Sequence, residues 1–260
     1  MTEFRVFGPP GTGKTTWLSD QIKKAASIYG PEQVLAASFT KAAAMELVGR
    51  GLPNKSNVGT LHAICYRALG EERIKVAETM IKDWNGTHPA YALSDQGATV
   101  DELSYERPSE TEGDNLFSRM QVLRAQIINK ELWPLEVLAF YQRWTDWKEN
   151  LSLIDFTDMI EMAYHDLDYA PGQPSVGFFD EVQDFTLLQL SLVRKWASHM
   201  DYIVLAGDDD QCIYQWLGAT PDAFLSPPVA SEYKRVLPQS YRIPRRVWQL
   251  SNAWVEGLTA

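Results

Sequence analysis

The sequence predicts an α/β protein: a parallel sheet flanked by helices, interrupted by an inserted, mainly helical subdomain. Three observations lead there. Short apolar strand segments alternate with amphipathic helical segments, the pattern of a parallel sheet. The first strand runs directly into the glycine-rich loop GPPGTGKT at 8–15, and a helical pattern follows. A later strand, FFDE, ends in adjacent carboxylates at Asp180 and Glu181.

In chain order, FRVF at 4–7 reads as a short buried strand. The next segment places Leu18, Ile22, Ala26 and Tyr29 at helical spacing and stops near Gly30-Pro31. VLAASF at 34–39 is a second strand, KAAAMEL at 41–47 is rich in helix formers, and LHAICYRAL at 61–69 is a further helix. From 70 to 150 strand signals fade, and Trp84, Trp133, Trp144 and Trp147 sit among charges. Within that span, 85–114 is rich in Gly, Pro, Ser and Thr and is expected to be loop. Strands return at SVGFFDE, 175–181, and YIVLAG, 202–207. Leu187, Leu188, Leu190, Val193 and Trp196 mark a helix between them. The expected division is therefore 1–69, an insertion at 70–150, 151–237, and a terminal segment at 238–260.

Composition narrows the function classes. The 260 residues carry a net charge of −10, which argues against nonspecific polyanion binding and leaves room only for a local groove. No apolar run approaches the roughly 20 residues that span a bilayer. With no secretory leader pattern ahead of Gly8, a cytoplasmic location and no membrane partner are expected. The two cysteines, Cys65 and Cys212, form no CxxC pair and are expected to be buried thiols.

The loop carries the most specific chemistry. Gly8, Gly13, Lys14 and Thr15 match G-x-x-x-x-G-K-[ST]. Glycines let the backbone amides turn inward around the phosphates, and Gly8, Pro9, Pro10, Gly11, Thr12 and Gly13 are the expected nucleotide-binding loop. The following helix N-terminus adds amides and partial positive charge. Lys14 reaches the β- and γ-phosphates and the Thr15 hydroxyl suits Mg2+. A chance glycine-rich turn would lack the flanking strand and helix. Asp180 suits the second metal contact and Glu181 the base that orients water. The competing reading of that pair is an acidic helix N-terminus.

Together these blocks resemble the UvrD/Rep/PcrA family of superfamily 1A DNA helicases. GPPGTGKT resembles motif I, ASFTKAAAMEL at 37–47 the TFTNKAA-type motif Ia, and VGTLHAICYRAL at 58–69 motif Ib. LIDFTDMIEMA at 153–163 is similar to the DFDDL segment, and FFDEVQDFTLLQ at 178–189 to motif II, DEFQD. VLAGDDDQCIYQWLGA at 204–219 resembles motif III, GDxDQSIYxWRGA, and LPQSYRIP at 237–244 motif IV. The order is the family's. The resemblance implies a RecA-like ATPase domain 1A carrying an inserted helical domain 1B, with ATP and Mg2+ as cofactors. It also implies 3′ to 5′ movement along single-stranded DNA.

It further implies roles residue by residue. Gln211 would sense the γ-phosphate, Arg242 would act as an arginine finger, and Tyr241 would stack on adenine beside Thr16. As alternatives, Gln211 is a polar loop residue, Arg242 a surface arginine and Tyr241 a half-buried core residue. Phe39, Thr40, His62, Tyr214 and Trp216 would meet DNA. Phe39 at a strand end also suits the core, and His62 also suits a structural role. The sequence departs from the family in three respects. Thr16 stands where the family has arginine, Leu217 replaces the arginine of WRG, and no adenine-reading glutamine precedes Gly8. Motifs V and VI are not found, so the expectation is the N-terminal half of a motor, completed by a second chain with the C-terminal lobe. The rival expectation is a nucleotide-dependent binding module for DNA or protein without motor activity.

Overall fold

The structure is a computed structural model. It describes residues 2–40, 43–44, 57–70, 75–94, 111–242 and 244–258. A six-stranded sheet runs in the order β3-β2-β6-β7-β1-β8. Its strands are β1 (Thr2–Phe7), β2 (Val34–Ser38), β3 (Val58–Thr60), β6 (Val176–Asp180), β7 (Tyr202–Gly207) and β8 (Lys234–Val236). Every pairing is parallel, with Ser38 opposite Asp180 and Phe7 opposite Gly207. Because all strands point one way, the segments after β1, β2, β6 and β7 emerge at one edge. That carboxyl edge is where open α/β sheets bind ligands.

Side chains alternate across the sheet, so each strand serves two cores. Val6, Val34, Ala36, Phe178 and Val204 pack on Leu18, Ile22 and Ala25 of α1 (Lys14–Tyr29). Leu35, Ala37, Phe179, Ile203 and Leu205 face the other way. There they meet α2 (Leu61–Leu69), α6 (Phe156–Asp166) and α7 (Leu187–Ala197). Burial on both faces explains why β2 and β6 read as continuous apolar runs rather than alternating ones. A short helix, α8 (Pro221–Leu225), closes over this second core through Phe224.

Helices α3 (Ile81–Thr87), α4 (Glu112–Ala125) and α5 (Leu135–Leu151) build a separate apolar cluster. Trp84, Trp133, Trp144 and Trp147 are all buried in it, where the sequence shows them among charges. The short strands β4 (Lys75–Val76) and β5 (Leu153–Ile154) pair in parallel where the chain enters and leaves this region.

A buried ionic network fastens that cluster to α6. The Arg124 guanidinium on α4 reaches Asp155 at 2.8 Å, Asp158 at 2.5 Å and Glu161 at 2.7 Å. Lys148 on α5 reaches Asp155 at 2.7 Å and also pairs with Asp158. The Trp144 indole N–H donates to Asp155 Oδ2 at 2.9 Å. Burial alone would raise the Asp155 carboxyl, but Arg124 and Lys148 more than offset it and hold the group well below the usual range.

Several sequence expectations change. The loop expected over 85–114 is helical at both ends within the described residues. Trp84 Nε1–H donates to Tyr91 O at 2.9 Å, and Asn85 Oδ1 accepts from Leu93 N at 2.8 Å, which ties down the descent from α3. Helix α4 starts early because Thr111 and Asp114 form a reciprocal cap that outweighs the low propensity of Gly113. Cys65 is buried as expected, whereas Cys212 is only partly buried, since it lies in an irregular loop at the sheet edge. The helix expected at 41–47 lies outside the described residues except for 43–44, which are helical. The terminal helix α9 (Arg245–Leu258) exposes Val247, Leu250 and Trp254, and the Trp248 side chain lies outside the described residues. Among the described residues, no helix is long and apolar enough to cross a membrane.

Candidate nucleotide site and aromatic surface

The loop at 8–15 joins β1 to α1. Gly11 and Gly13 have φ of +74° and +81°, the left-handed region that L side chains avoid. At Gly11 the approach is also close, because a Cβ would lie 2.3 Å from Arg242 Cβ. Thr12 N–H and Oγ1–H both donate to Pro9 O, at 3.4 and 2.9 Å, which folds the loop tip. The Lys14 ammonium is buried and donates to Gly8 O across the loop.

Opposite the loop stands the end of β6. Thr15 Oγ1–H donates to Asp180 Oδ2 at 2.8 Å, so two residues 165 apart in sequence meet directly. Burial, followed by the neighbouring Glu181, pushes the Asp180 carboxyl up to about 6. Glu181 itself adopts φ +54°, a left-handed conformation that is strained for a non-glycine residue. Gln183 Nε2–H donates to Glu181 Oε2 at 2.8 Å and to Asp184 Oδ2 at 3.2 Å. Gln183 Oε1 accepts the backbone N–H of Asp208 at 3.0 Å.

The loop after β7 completes this edge. Gln211 Nε2–H donates to Asp208 Oδ2. Burial raises Asp208 to about 6, against the opposing pull of Lys14. Asp184 is raised to about 7 by burial and Glu181, and its buried Oδ1 has no hydrogen-bond partner. Lys14, Thr15, Asp180, Glu181 and Gln211 are thus brought to one place.

The segment after β8 crosses the loop from the other side. Leu237 N–H donates to Phe7 O at 2.8 Å, Ser240 Oγ–H to Pro10 O at 2.7 Å, and Tyr241 N–H to Gly11 O at 2.8 Å. Tyr241 and Arg242 are therefore placed at the loop while their side chains stay exposed. Between this segment and α1 lies a cleft of about 560 Å³, lined by Gly11, Thr12, Gly13, Thr16, Trp17, Asp20, Leu237, Tyr241 and Arg242. That is within the range of roughly 300–1,000 Å³ found for small-molecule sites.

The aromatic residues form a row on the same edge of the sheet. Phe39 follows β2 and packs on Tyr214 with centroids 4.8 Å apart, and Tyr214 lies 6.3 Å from Trp216. Trp216 is 60% exposed, whereas Phe39 also touches Phe185 and is half-buried, so it serves core and surface at once. Thr40 Oγ1 accepts from Ala43 N at 3.2 Å. His62, in the first turn of α2, packs edge-on to Phe156 at 5.8 Å.

Sequence reasoning passed over Gln183, Ser240, Trp17 and Asp20. Gln183 was visible as the fourth residue of DEVQD, but its two-sided bonding depends on β7 lying beside β6. Strand β8 was also missed. KRV is charged and exposed, and only pairing to β1 makes it a strand.

Comparison with known proteins agrees with this architecture. Residues 2–228 match the family model of the UvrD/REP helicase N-terminal domain. A protein named probable DNA helicase from Mycoplasma pneumoniae is 28% identical over 84% of this chain and 46% of its own length. DNA helicase II of Escherichia coli is 25% identical over 97% of this chain and 38% of its own length. ATP-dependent DNA helicase PcrA of Bacillus subtilis is 25% identical over 95% and 36%. The chain thus spans less than half the length of these relatives. It belongs to the UvrD/REP helicase N-terminal domain family.

Proposed function

We propose that the chain is the ATP-hydrolysing lobe of a DNA helicase that moves 3′ to 5′ along single-stranded DNA. The observation that carries this reading is the contact of the phosphate-loop Thr15 with Asp180, with Glu181 next in sequence. A module that only bound nucleotide would need no such carboxylate pair.

In this reading the loop amides and Lys14 hold the phosphates. The hydroxyl of Thr15 and the carboxylate of Asp180 are hard oxygens and fit Mg2+, which keeps its other positions for water and phosphate. When bound, the ion would neutralise charge on the β- and γ-phosphate oxygens. Glu181 orients the attacking water and takes its proton as the new bond to the γ-phosphorus forms. The bond to the bridging oxygen breaks, leaving ADP and phosphate. Arg242 and Gln211 would contact the γ-phosphate, and Tyr241 would stack on the base.

Phe39, Tyr214 and Trp216 offer stacking faces to DNA bases, and Thr40 and His62 are further DNA contacts in this reading. Stacking suits a motor because every base has a π-face. The chain divides as 1–69 and 151–237 for the ATPase domain 1A, 70–150 for domain 1B, and 238–260 for the start of domain 2A. Translocation uses a second lobe with the remaining motifs, in the same polypeptide or in a partner chain, because gripping DNA alternately needs two bodies that close and open. Such a motor works on cytoplasmic DNA. In the test, Glu181→Gln retains ATP binding and loses hydrolysis. Unchanged turnover in that variant would remove Glu181 from the mechanism.

A further inference from the structure

The cleft beside the phosphate loop has a feature that the family resemblance does not supply. Thr16 offers no flat surface there, but the next residue does. Trp17 lines the cleft, and Tyr241 lines it as well. Trp17 and Asp20 are three apart on α1 and so share one face of that helix. Leu18 and Ile22 are buried in the sheet core, and Trp17 is partly buried against the edge of the same core. The Trp17 ring is braced by the Arg235 guanidinium, 5.2 Å from its centroid, and Arg235 is not among the cleft-lining residues. Tyr241 is anchored by its N–H bond to Gly11 O at 2.8 Å. Two aromatic side chains held by separate elements therefore border one cleft that opens onto the phosphate loop.

We propose that Trp17 and Asp20 form the base-recognition surface of this site, Trp17 as a stacking wall and Asp20 as an acceptor for an amino group on a purine ring. Asp20 is exposed and lines the same cleft. An ionised carboxylate only accepts hydrogen bonds, so it favours a base edge that donates. Adenine presents its 6-amino group. Guanine presents a 2-amino group and a ring N–H. Selection here falls on amino-bearing purines as a class, and GTP is expected to bind within about tenfold of ATP, the difference of one hydrogen bond.

The proposal rests on the nucleotide reading of the loop, and calorimetric titration with Mg2+ present separates the two. The probes are ATP, GTP, inorganic tripolyphosphate, and purine riboside triphosphate, which lacks the 6-amino group. Trp17→Leu keeps apolar bulk beneath Arg235 without a ring. It is expected to weaken ATP about tenfold, the scale of one lost stacking contact, and to leave tripolyphosphate unchanged. Trp17→Phe is expected to restore most of the ATP affinity. Wild type is expected to prefer ATP over purine riboside triphosphate by about two- to tenfold, and Asp20→Ala to abolish that preference.

ATP binding unchanged in Trp17→Leu, or a preference that survives Asp20→Ala, would overturn the proposal. GTP binding more than a hundredfold weaker than ATP would overturn its purine-class form. Lys14→Ala is expected to weaken ATP and tripolyphosphate alike. If it weakened neither, the phosphate-loop reading itself would fail.

Discussion

Gln183 donates to Glu181 Oε2 at 2.8 Å while its carbonyl oxygen accepts the backbone N–H of Asp208 at 3.0 Å. One amide therefore ties the proposed base just after β6 to the loop after β7 that carries Gln211. An amide can serve both sides because it donates and accepts at once.

Gln183→Ala should lower kcat for ATP hydrolysis more than it raises KM, because it frees the base without touching the phosphate loop. A positioned base contributes about 10²–10⁴-fold, and losing its tether should forfeit at least about tenfold. Steady-state kinetics check this. Equal kcat in variant and wild type would show that Glu181 is held by other means.

Asp155 is fully buried and bound to Arg124, Lys148 and Trp144. Asp155→Ala should destabilise the chain by about 3–5 kcal/mol, because two buried cations lose their main partner. Chemical denaturation measures the difference. A loss below about 1 kcal/mol would mean that Asp158 and Glu161 compensate.

Glu78 is buried beside this network. Its Oε1 accepts from Phe156 N at 3.0 Å and its Oε2 has no partner. Burial, then the charge on Asp155, raises its carboxyl from 4.5 to about 8. Its folded-state value lies above its unfolded one, so its contribution to stability is fully present below about 4.5 and lost as the pH rises through about 8. Glu78→Gln, which stays neutral, should therefore gain in Tm over wild type across that window and hold a constant advantage above it. A Tm difference that does not change with pH would contradict the neutral assignment.

Trp216 is 60% exposed and ends the aromatic row begun by Phe39 and Tyr214. Trp216→Ala should leave Tm unchanged and weaken single-stranded DNA binding by about 1–3 kcal/mol, without regard to base sequence. Fluorescence anisotropy with oligothymidylate reads the loss. Unaltered affinity would remove Trp216 from the DNA path.

Local sequence made the phosphate loop legible, because Gly11, Gly13 and Lys14 have their roles set within a few residues. The carboxylates at 180–181 were legible from position, since a strand end in a parallel sheet faces the ligand edge. Less could be read where distant segments decide. Strand β8 exists only through pairing with Arg5–Phe7. The tryptophans of the helical region look exposed beside charges, yet all four fill a core, and the buried cation Lys148 among them pairs with Asp155 at the start of α6. Trp17 and Asp20 gain meaning only when Tyr241, more than 200 residues later, is hydrogen-bonded to Gly11.

If the proposed function holds, ATP turnover at this site answers to single-stranded DNA. The test is the rate of ATP hydrolysis with and without oligothymidylate, by the wild-type protein and by Lys14→Ala. Turnover should rise with DNA and disappear in the variant. Hydrolysis that ignores DNA, or that persists without the Lys14 ammonium, would contradict it.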